Sequence, residues 1–421
     1  MSRSADQARH GRQSTPSRAG LVLKSLGIAV SVLLVAGISV VGYAVGSVST
    51  TFQEAAVDIG GSAPPPPPPF LGAIEGGFNM LIVGSDNDDK QGEEYGEREG
   101  TLNDVNILVH VAADHRNAVV LSLPRDLVIP QPECDNSDAV SAQPLNAAWE
   151  RGGENGLGCV VATVRELTGL DIPYAMETSF NGVIEMSNAV GGVDVCVTGE
   201  MSDEFTGLFL NPGHHVLKGA DALAFLRNRH GVGDGSDLAR IGSQQQYLSS
   251  LLRTIKSSST LSDPTKVYGL AQAVAQNITP STSLKGADTL VSLALALKDI
   301  DLSKVVFVSY PVSAYVENPN QVQPIESLAS EMLERIATDQ PFSLDTSSTA
   351  TGSTVEGPAT DAGTPPDAGT PTDAGTPTDG STAAAPPASD APTDSAATPD
   401  VIEGLKGQTA AEQTCASPLE D

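Results

Sequence analysis

The residues best suited to chemistry are arginines and aspartates placed at the ends of apolar runs. Gly84-Ser85-Asp86 closes a run that begins at Phe78, and Asp104 opens the next one, Val105–Val111. Pro124-Arg125-Asp126 closes a third, Ala118–Leu123. Arg227-Asn228-Arg229 follows the stretch Ala220–Leu226, and Asp237-Leu-Ala-Arg240 opens a long segment in which Gln244 lies one turn further along. An arginine offers a rigid fork that matches phosphate oxygens bidentately. Four arginines on one site would suit a pyrophosphate. Two carboxylates beside such an anion, Asp86 and Asp104, would repel it unless a divalent cation lay between them. Mg2+ is the natural choice, with Mn2+ as its substitute, because Mg2+ binds through one or two carboxylates plus substrate phosphates. Taken singly, each of these residues also fits a surface ion pair or a helix cap, and Asp237 in particular fits an N-cap.

Other chemistries find no support. The chain has no G-x-x-x-x-G-K-[ST] phosphate loop, no H-E-x-x-H and no G-x-S-x-G, which removes the signatures of P-loop nucleotide hydrolases, zincin proteases and common serine hydrolases. The formal net charge of −29 argues against a nucleic-acid partner, which calls for a basic patch or stripe.

The elements that must position these residues alternate along the chain. Phe78–Val83, Val105–Val111 and Ala118–Leu123 read as buried strands. Val160, Val161, Val164 and Leu167 have helical spacing, 180–189 reads as a helix and 193–197 as a strand. Leu238, Ile241, Gln245, Leu248, Leu252 and Ile255 mark a long amphipathic helix. An Ala/Leu-rich helix over 285–299, a strand over 304–310 and a closing helix over 323–337 complete the series. Such alternation predicts an α/β fold, a central mixed β-sheet sandwiched by helices.

The flanks are of a different kind. Residues 25–53 carry no charge, and the centre of that run is Val, Leu, Ile, Ala, Gly and Ser. About 20 apolar residues span the hydrocarbon core of a membrane. Arg3, Arg9, Arg12, Arg18 and Lys24 precede the run against one acid, Asp6, which sets the N-terminus in the cytoplasm and the remainder outside it. The run exceeds the ~7–15 residues of a signal-peptide core, so an uncleaved anchor is expected. Pro64–Pro69 then form a stiff polyproline spacer. The expected division is a cytoplasmic tail (1–24), a membrane helix (25–50), a spacer (51–71), a catalytic domain (72–342) and a disordered acidic tail (343–421). From Thr346 onward there are 12 acids against one base, Lys406, with Asp-Ala-Gly-Thr-Pro recurring every six residues. That composition holds too little apolar surface to offset ordering entropy. Of the four cysteines, Cys134 and Cys159 bracket a loop and a short helical stretch and are the expected disulfide, available to an exported chain. Cys196, inside the apolar run Val193–Val197, is expected as a buried thiol.

In order along the chain, Asn79-Met-Leu-Ile-Val-Gly-Ser-Asp86, Asn103-Asp104, Leu123-Pro-Arg-Asp126, Leu145-Asn-Ala-Ala148 with Gly152-Gly153, Leu167-Thr-Gly169, Gly191-Gly-Val193, Phe225-Leu-Arg-Asn-Arg229 and Asp237-Leu-Ala-Arg-Ile241 with Gln244-Gln245 resemble the LytR-CpsA-Psr family of bacterial cell-envelope proteins. The resemblance implies a phosphotransferase that moves a glycopolymer, such as teichoic acid or arabinogalactan, from a polyprenyl-pyrophosphate carrier onto peptidoglycan. It implies Asp86 and Asp104 as Mg2+ ligands, and Arg125, Arg227, Arg229, Arg240 and Gln244 as the pyrophosphate site. It also implies an apolar channel for the polyprenyl chain. Three positions depart from the family pattern: Leu102 and Pro144 stand where the family has Arg and Lys, and Ser243 where it often has Arg. Arg98 and Lys90 are the candidates to replace the first lost charge. A non-catalytic binder of the same lipid and a pyrophosphate hydrolase are the alternative readings. Among the histidines, His214 and His215 read as structural or solvated residues of a turn, while His230 adjoins Arg229.

Overall fold

The computed structural model describes residues 50, 54–64, 72–87, 100–135, 137–257, 264–345, 349–356 and 399–419. Three antiparallel strands form its centre: β1 (Phe78–Ser85), β2 (Asn103–Val111) and β3 (Ala118–Leu123). A hairpin follows, β4 (Val128–Gln131) with β5 (Val140–Pro144). Then come the short helix α1 (Ala148–Arg151), α2 (Gly156–Thr168), β6 (Tyr174–Thr178) and α3 (Phe180–Val190). Next are β7 (Val193–Val197), a hairpin of β8 (Met201–Asp203) and β9 (Leu208–Leu210), and β10 (Gly213–Leu217). Helices α4 (Ala220–Arg227), α5 (Asp237–Lys256) and α6 (Pro264–Asn277) lead to β11 (Ile278–Pro280) and α7 (Ala287–Lys298). The rest comprises β12 (Val305–Ser309), β13 (Val312–Ala314), β14 (Val322–Pro324), α8 (Glu326–Ala337), β15 (Phe342–Leu344), β16 (Ser353–Val355), β17 (Asp400–Ile402), β18 (Gly407–Thr409) and β19 (Thr414–Ala416).

The central sheet is mixed, in the order β11-β6-β1-β2-β3-β12-β18, with β6 parallel to β1 and β12 parallel to β3. Side chains alternate across it because the strand period is two. Leu81, Val83, Leu108 and Leu121 face a core filled by Val160, Val161 and Val164 of α2 and Met332 and Ile336 of α8. Phe78, Ile107, Val109 and Val120 face the opposite core, with Leu293 and Ala296 of α7 and Leu248 and Leu252 of α5. The expected sheet between helices is therefore present, and the expected strands and helices fall within a few residues of their observed limits.

Helix α5 is a wedge between this sheet and a second one, of order β10-β7-β19-β16. Two consecutive glutamines lie about 100° apart on a helix and address the two sheets separately. Gln245 Nε2 donates to the hydroxyls of Ser122 and Ser309, on β3 and β12. Gln246 Nε2 donates to the carbonyls of Cys196 and Thr414, on β7 and β19. Both glutamines are almost wholly buried, where an amide without partners would be costly.

Three expectations at the domain's edges are corrected. Cys196 is not a free thiol: it is bonded to Cys415 across the parallel pair β7/β19 with Cα atoms 4.5 Å apart. The partner lies 219 residues away, beyond any local sequence signal. The tail expected to be disordered over 343–421 contains β15 to β19. The described stretches flanking its repeats bury Ala350, Ile402, Leu405, Ala410 and Ala416, an apolar content that the repeat composition masks. The domain also begins before residue 72. Val57 pairs with Pro280 and Thr282, Ile59 is core, and Arg165 donates to the carbonyls of Ile59 and Gly60. The expected pair Cys134–Cys159 is bonded. His214 and His215 lie on β10 rather than in a turn, and His214 contacts Asp194 and Glu356. Among the described residues no helix is long and apolar enough to cross a membrane. Residues 25–49 of the expected anchor, 65–71 of the spacer, 357–398 of the tail, Lys90 and Arg98 lie outside the described residues.

Two disulfides predict that alkylation of the denatured, unreduced protein labels no cysteine, and that labelling after reduction reaches all four. Cys415→Ser is expected to lower the unfolding free energy by about 2–5 kcal/mol, read from urea denaturation.

Candidate active site

Strand ends and helix ends converge beside the wedge helix. Asp104 is the second residue of β2, Arg125 follows β3, Arg227 ends α4, and Arg240 lies in the first turn of α5. These four line one cavity of about 430 Å³ together with Ser85, Asp203, Phe205, Arg229, His230 and Gln244. The volume lies within the range of small-molecule sites, roughly 300–1,000 Å³. The rest of the wall is largely apolar: Ile82, Val105 and Ile107 from the sheet, Met176, Val183 and Met186 from β6 and α3, and Leu223, Leu226, Leu248 and Leu251 from α4 and α5.

The arginines are held by carboxylates. Arg125 Nη1 donates to Asp104 Oδ1 at 2.9 Å, and its Nε lies 3.5 Å from Asp237 Oδ1 and 3.8 Å from Asp126 Oδ1. The same Asp237 oxygen is 2.6 Å from Arg240 Nη2, which also donates to the backbone carbonyl of Asp104 at 2.9 Å. Asp237 is thus a bridge between two arginines. The N-cap is Ser236, whose hydroxyl accepts from the Ala239 amide. Burial pulls the Arg125 guanidinium down, but Asp104, Asp237 and Asp126 outweigh it and hold the group above its ordinary value. Asp126 is pushed above the ordinary carboxylate range, by burial first and then by Asp237; Arg125, Arg229 and Arg240 oppose this.

The remaining members are anchored differently. Arg227 lies over the Phe180 ring with its Cζ 4.4 Å from the centroid, a cation–π contact. Arg229 Nε donates to the Gly235 carbonyl, and Gln244 Nε2 to the Leu226 carbonyl. Asp203, buried in the β8/β9 turn, accepts the amides of Arg229 and His230 on Oδ2 and that of Phe205 on Oδ1. Phe205 in turn packs on the His230 ring with centroids 4.7 Å apart. Asp203, Phe205 and Phe180 were not expected from the sequence. The β8/β9 hairpin that carries two of them is short, and its contact with Arg229 is tertiary.

Asp86 is placed apart from the cavity lining. It is fully buried at the end of β1; its Oδ1 accepts the Leu102 amide, and its own amide donates to the Leu102 carbonyl. Leu102 therefore meets Asp86 through backbone groups. Asn103 accepts from the Trp149 amide and donates to the Leu145 carbonyl, and the Asn146 amide donates to the Arg125 carbonyl. The Leu145–Ala148 segment thus supports the Arg125 backbone. Pro144 accepts on its carbonyl from Gln131, and Ser243 is fully buried.

A cavity that joins an arginine–aspartate mouth to an apolar wall agrees with the sequence comparison, in which the LytR_cpsA_psr family matches residues 50–338. The chain belongs to the LytR-CpsA-Psr family. It is 29% identical over 331 residues to the cell wall biosynthesis protein LcpA of Corynebacterium glutamicum, covering 72% of this chain and 62% of LcpA. It is 32% identical over 197 residues to the probable cell wall biosynthesis protein LcpB of the same organism, 46% of this chain and 45% of LcpB. It is 27% identical over 262 residues to TagT of Bacillus subtilis, named a polyisoprenyl-teichoic acid–peptidoglycan teichoic acid transferase, covering 61% of this chain and 76% of TagT. The alignments thus span less than two thirds of LcpA and LcpB. Among solved structures, the protein gbs0355 of Streptococcus agalactiae superposes with a TM-score of 0.51 at 20% identity, over 63% of this chain and 88% of that one, a likeness of fold.

The position of Asp126 has a consequence for stability. A carboxyl whose folded pKa is raised binds its proton more tightly in the folded state than in the unfolded one, so stability falls as pH rises from the unfolded value through the folded one and the cost is complete above the latter. Asp126→Asn should raise the thermal midpoint at pH 7. The gain should vanish as pH falls toward the ordinary carboxylate range, where the wild-type group is already protonated; thermal melts across pH 3–8 check this.

Proposed function

We propose that the protein is a membrane-anchored, extracytoplasmic phosphotransferase that moves a glycopolymer from a polyprenyl-pyrophosphate carrier to peptidoglycan and releases polyprenyl phosphate. The observation that carries this reading is the two-part cavity. Its apolar wall suits an isoprenoid chain, and its mouth, with Arg125, Arg227, Arg229 and Arg240, suits a pyrophosphate. The names of LcpA, LcpB and TagT support it, as does the charge-free run over residues 25–53 behind a basic N-terminus.

In this reading a wall-sugar hydroxyl attacks the phosphorus nearer the glycan. A new oxygen–phosphorus bond forms, the bond from that phosphorus to the bridging oxygen breaks, and polyprenyl phosphate leaves. Charge gathers on the bridging and equatorial oxygens, and positioned cations supply most of the acceleration in such transfers. Arg227 and Arg229 meet the phosphates while Arg125 and Arg240, fixed by Asp104 and Asp237, keep their forks oriented. Gln244, tied to the end of α4, orients the same oxygens.

The donor set fits one Mg2+ in part. Asp104 presents a carboxylate to the cavity, and substrate phosphates would complete the coordination. Asp86 holds the Leu102 amide with Oδ1, and its second carboxylate oxygen would be the one offered to the ion. The ion would supply charge neutralisation at the pyrophosphate. The hydroxyl proton goes to a carboxylate of this pair, of which Asp104 is the one lining the cavity.

The test is a reconstituted reaction of the protein with Mg2+, a polyprenyl-pyrophosphate glycan and peptidoglycan oligomers. Polymer joined to wall sugar is expected, with Arg227→Ala reducing turnover about 10²–10³-fold. Release of glycan phosphate that does not require acceptor would make the protein a hydrolase. Binding without turnover, unaltered in Arg227→Ala, would sink both enzyme readings.

A further inference from the structure

The family match ends at residue 338, yet the segment Thr414–Leu419 is built into the site's support. Strand β19 lies between β7 and β16, and Cys415 is bonded to Cys196. Beyond β19 the chain runs against the loop Gly231–Gly235. The Gly233 amide donates to the Ser417 carbonyl, the Leu419 amide donates to the Gly231 carbonyl, and Val232 and Pro418 form an antiparallel bridge. The Ser417 amide donates to the Gly352 carbonyl, so the strap is itself tied down.

That loop joins two parts of the arginine site. Arg229 and His230 precede it, and Ser236, which caps α5, follows it; Asp237 and Arg240 stand in the next turn. Arg229 Nε donates to the carbonyl of Gly235, inside the loop. Gly233 and Gly235 have φ of +54° and +75°, a conformation that confers little rigidity of its own because glycine has wide backbone freedom. A Cβ on Gly233 would lie 2.8 Å from the Gly352 Cα, so the loop is also closely packed against the segment that anchors the strap.

We propose that Ser417–Leu419 acts as a positioning strap, holding Gly231–Gly235 so that the Arg229 guanidinium stays aimed at the pyrophosphate. The strap touches no substrate; it acts through the loop. Its consequence for ligand affinity rests on the function proposed above, whereas its effect on the loop does not. The segment lies outside the region matched by the family, residues 50–338.

The experiment compares the full chain in detergent micelles with a version ending at Ala416, which keeps β19 and the disulfide. Each is made with Arg229 and with Arg229→Ala. Amide exchange and the Arg229 Nε–H resonance report on the loop, and titration with geranylgeranyl pyrophosphate in Mg2+ reports on the site. The shortened chain should show faster exchange at Gly233 and a broadened Arg229 Nε–H signal, with its thermal midpoint little changed. Its affinity should fall about tenfold with Arg229 present and no further in Arg229→Ala, the signature of two groups acting as one. Unaltered exchange at Gly233 would overturn the strap. An equal loss of affinity in both backgrounds would overturn its action through Arg229. Failure of the full chain to bind the probe would overturn the functional reading, while the exchange and resonance data would still decide whether the strap holds the loop.

Discussion

Four guanidinium groups around one cavity repel one another, and two like charges 4 Å apart at a protein surface cost about 4 kcal/mol at an effective dielectric of 20. Asp104 and Asp237 offset that repulsion at Arg125 and Arg240. Asp237 touches Arg125 and Arg240 through a single oxygen, and Asp104 meets the first with its carboxylate and the second with its backbone carbonyl. The cluster therefore ties the ends of β2 and β3 to the first turn of α5. The sheet, the wedge helix and the mouth of the cavity meet at this network. A phosphate ligand would enter a set of forks already oriented, so less side-chain entropy is lost on binding.

The same wedge helix explains how the two halves of the cavity are joined. One face of α5 gives Arg240 and Gln244 to the mouth and Leu248 and Leu251 to the apolar wall. Gln245 and Gln246 fix its register against two sheets. A shift of the helix by one residue would break both glutamine contacts and carry Arg240 away from Asp104. In this register each glutamine Nε2 reaches two acceptors, and a shifted register would leave those buried donors unpaired.

Much of this was legible in the sequence, for identifiable reasons. Continuous apolar runs marked β1, β2 and β3, and the residues just beyond their ends, Asp104 and Arg125, are the ones that reach the cavity. Ordered motifs brought Arg227, Arg229, Arg240 and Gln244 to the same place. What escaped depends on contacts between distant segments. Cys196 looked like a core residue because its strand is apolar, and nothing nearby announces Cys415. The segments around the acidic repeats looked unstructured because composition averages over the repeats, hiding Ile402, Leu405 and Ala416. Asp237 fitted a cap by type, but the preceding Ser236 takes that role and frees Asp237 to bridge two arginines. Asp86 directly follows its strand and is fully buried, with Oδ1 on the Leu102 amide, a contact that its place in the motif does not announce. Asp203 carries no motif, and the contacts that place it at the site, the amides of Arg229 and His230, are tertiary.

In the proposed function one cavity binds the two chemically opposite halves of a polyprenyl pyrophosphate. A crystal structure with geranylgeranyl pyrophosphate and Mg2+ tests it most directly. Both phosphates are expected among Arg125, Arg227, Arg229 and Arg240, and the isoprenoid along Ile107, Met176, Met186 and Leu248. Phosphates bound away from these arginines, or an isoprenoid lying on the outer surface with the apolar cavity unfilled, would contradict it.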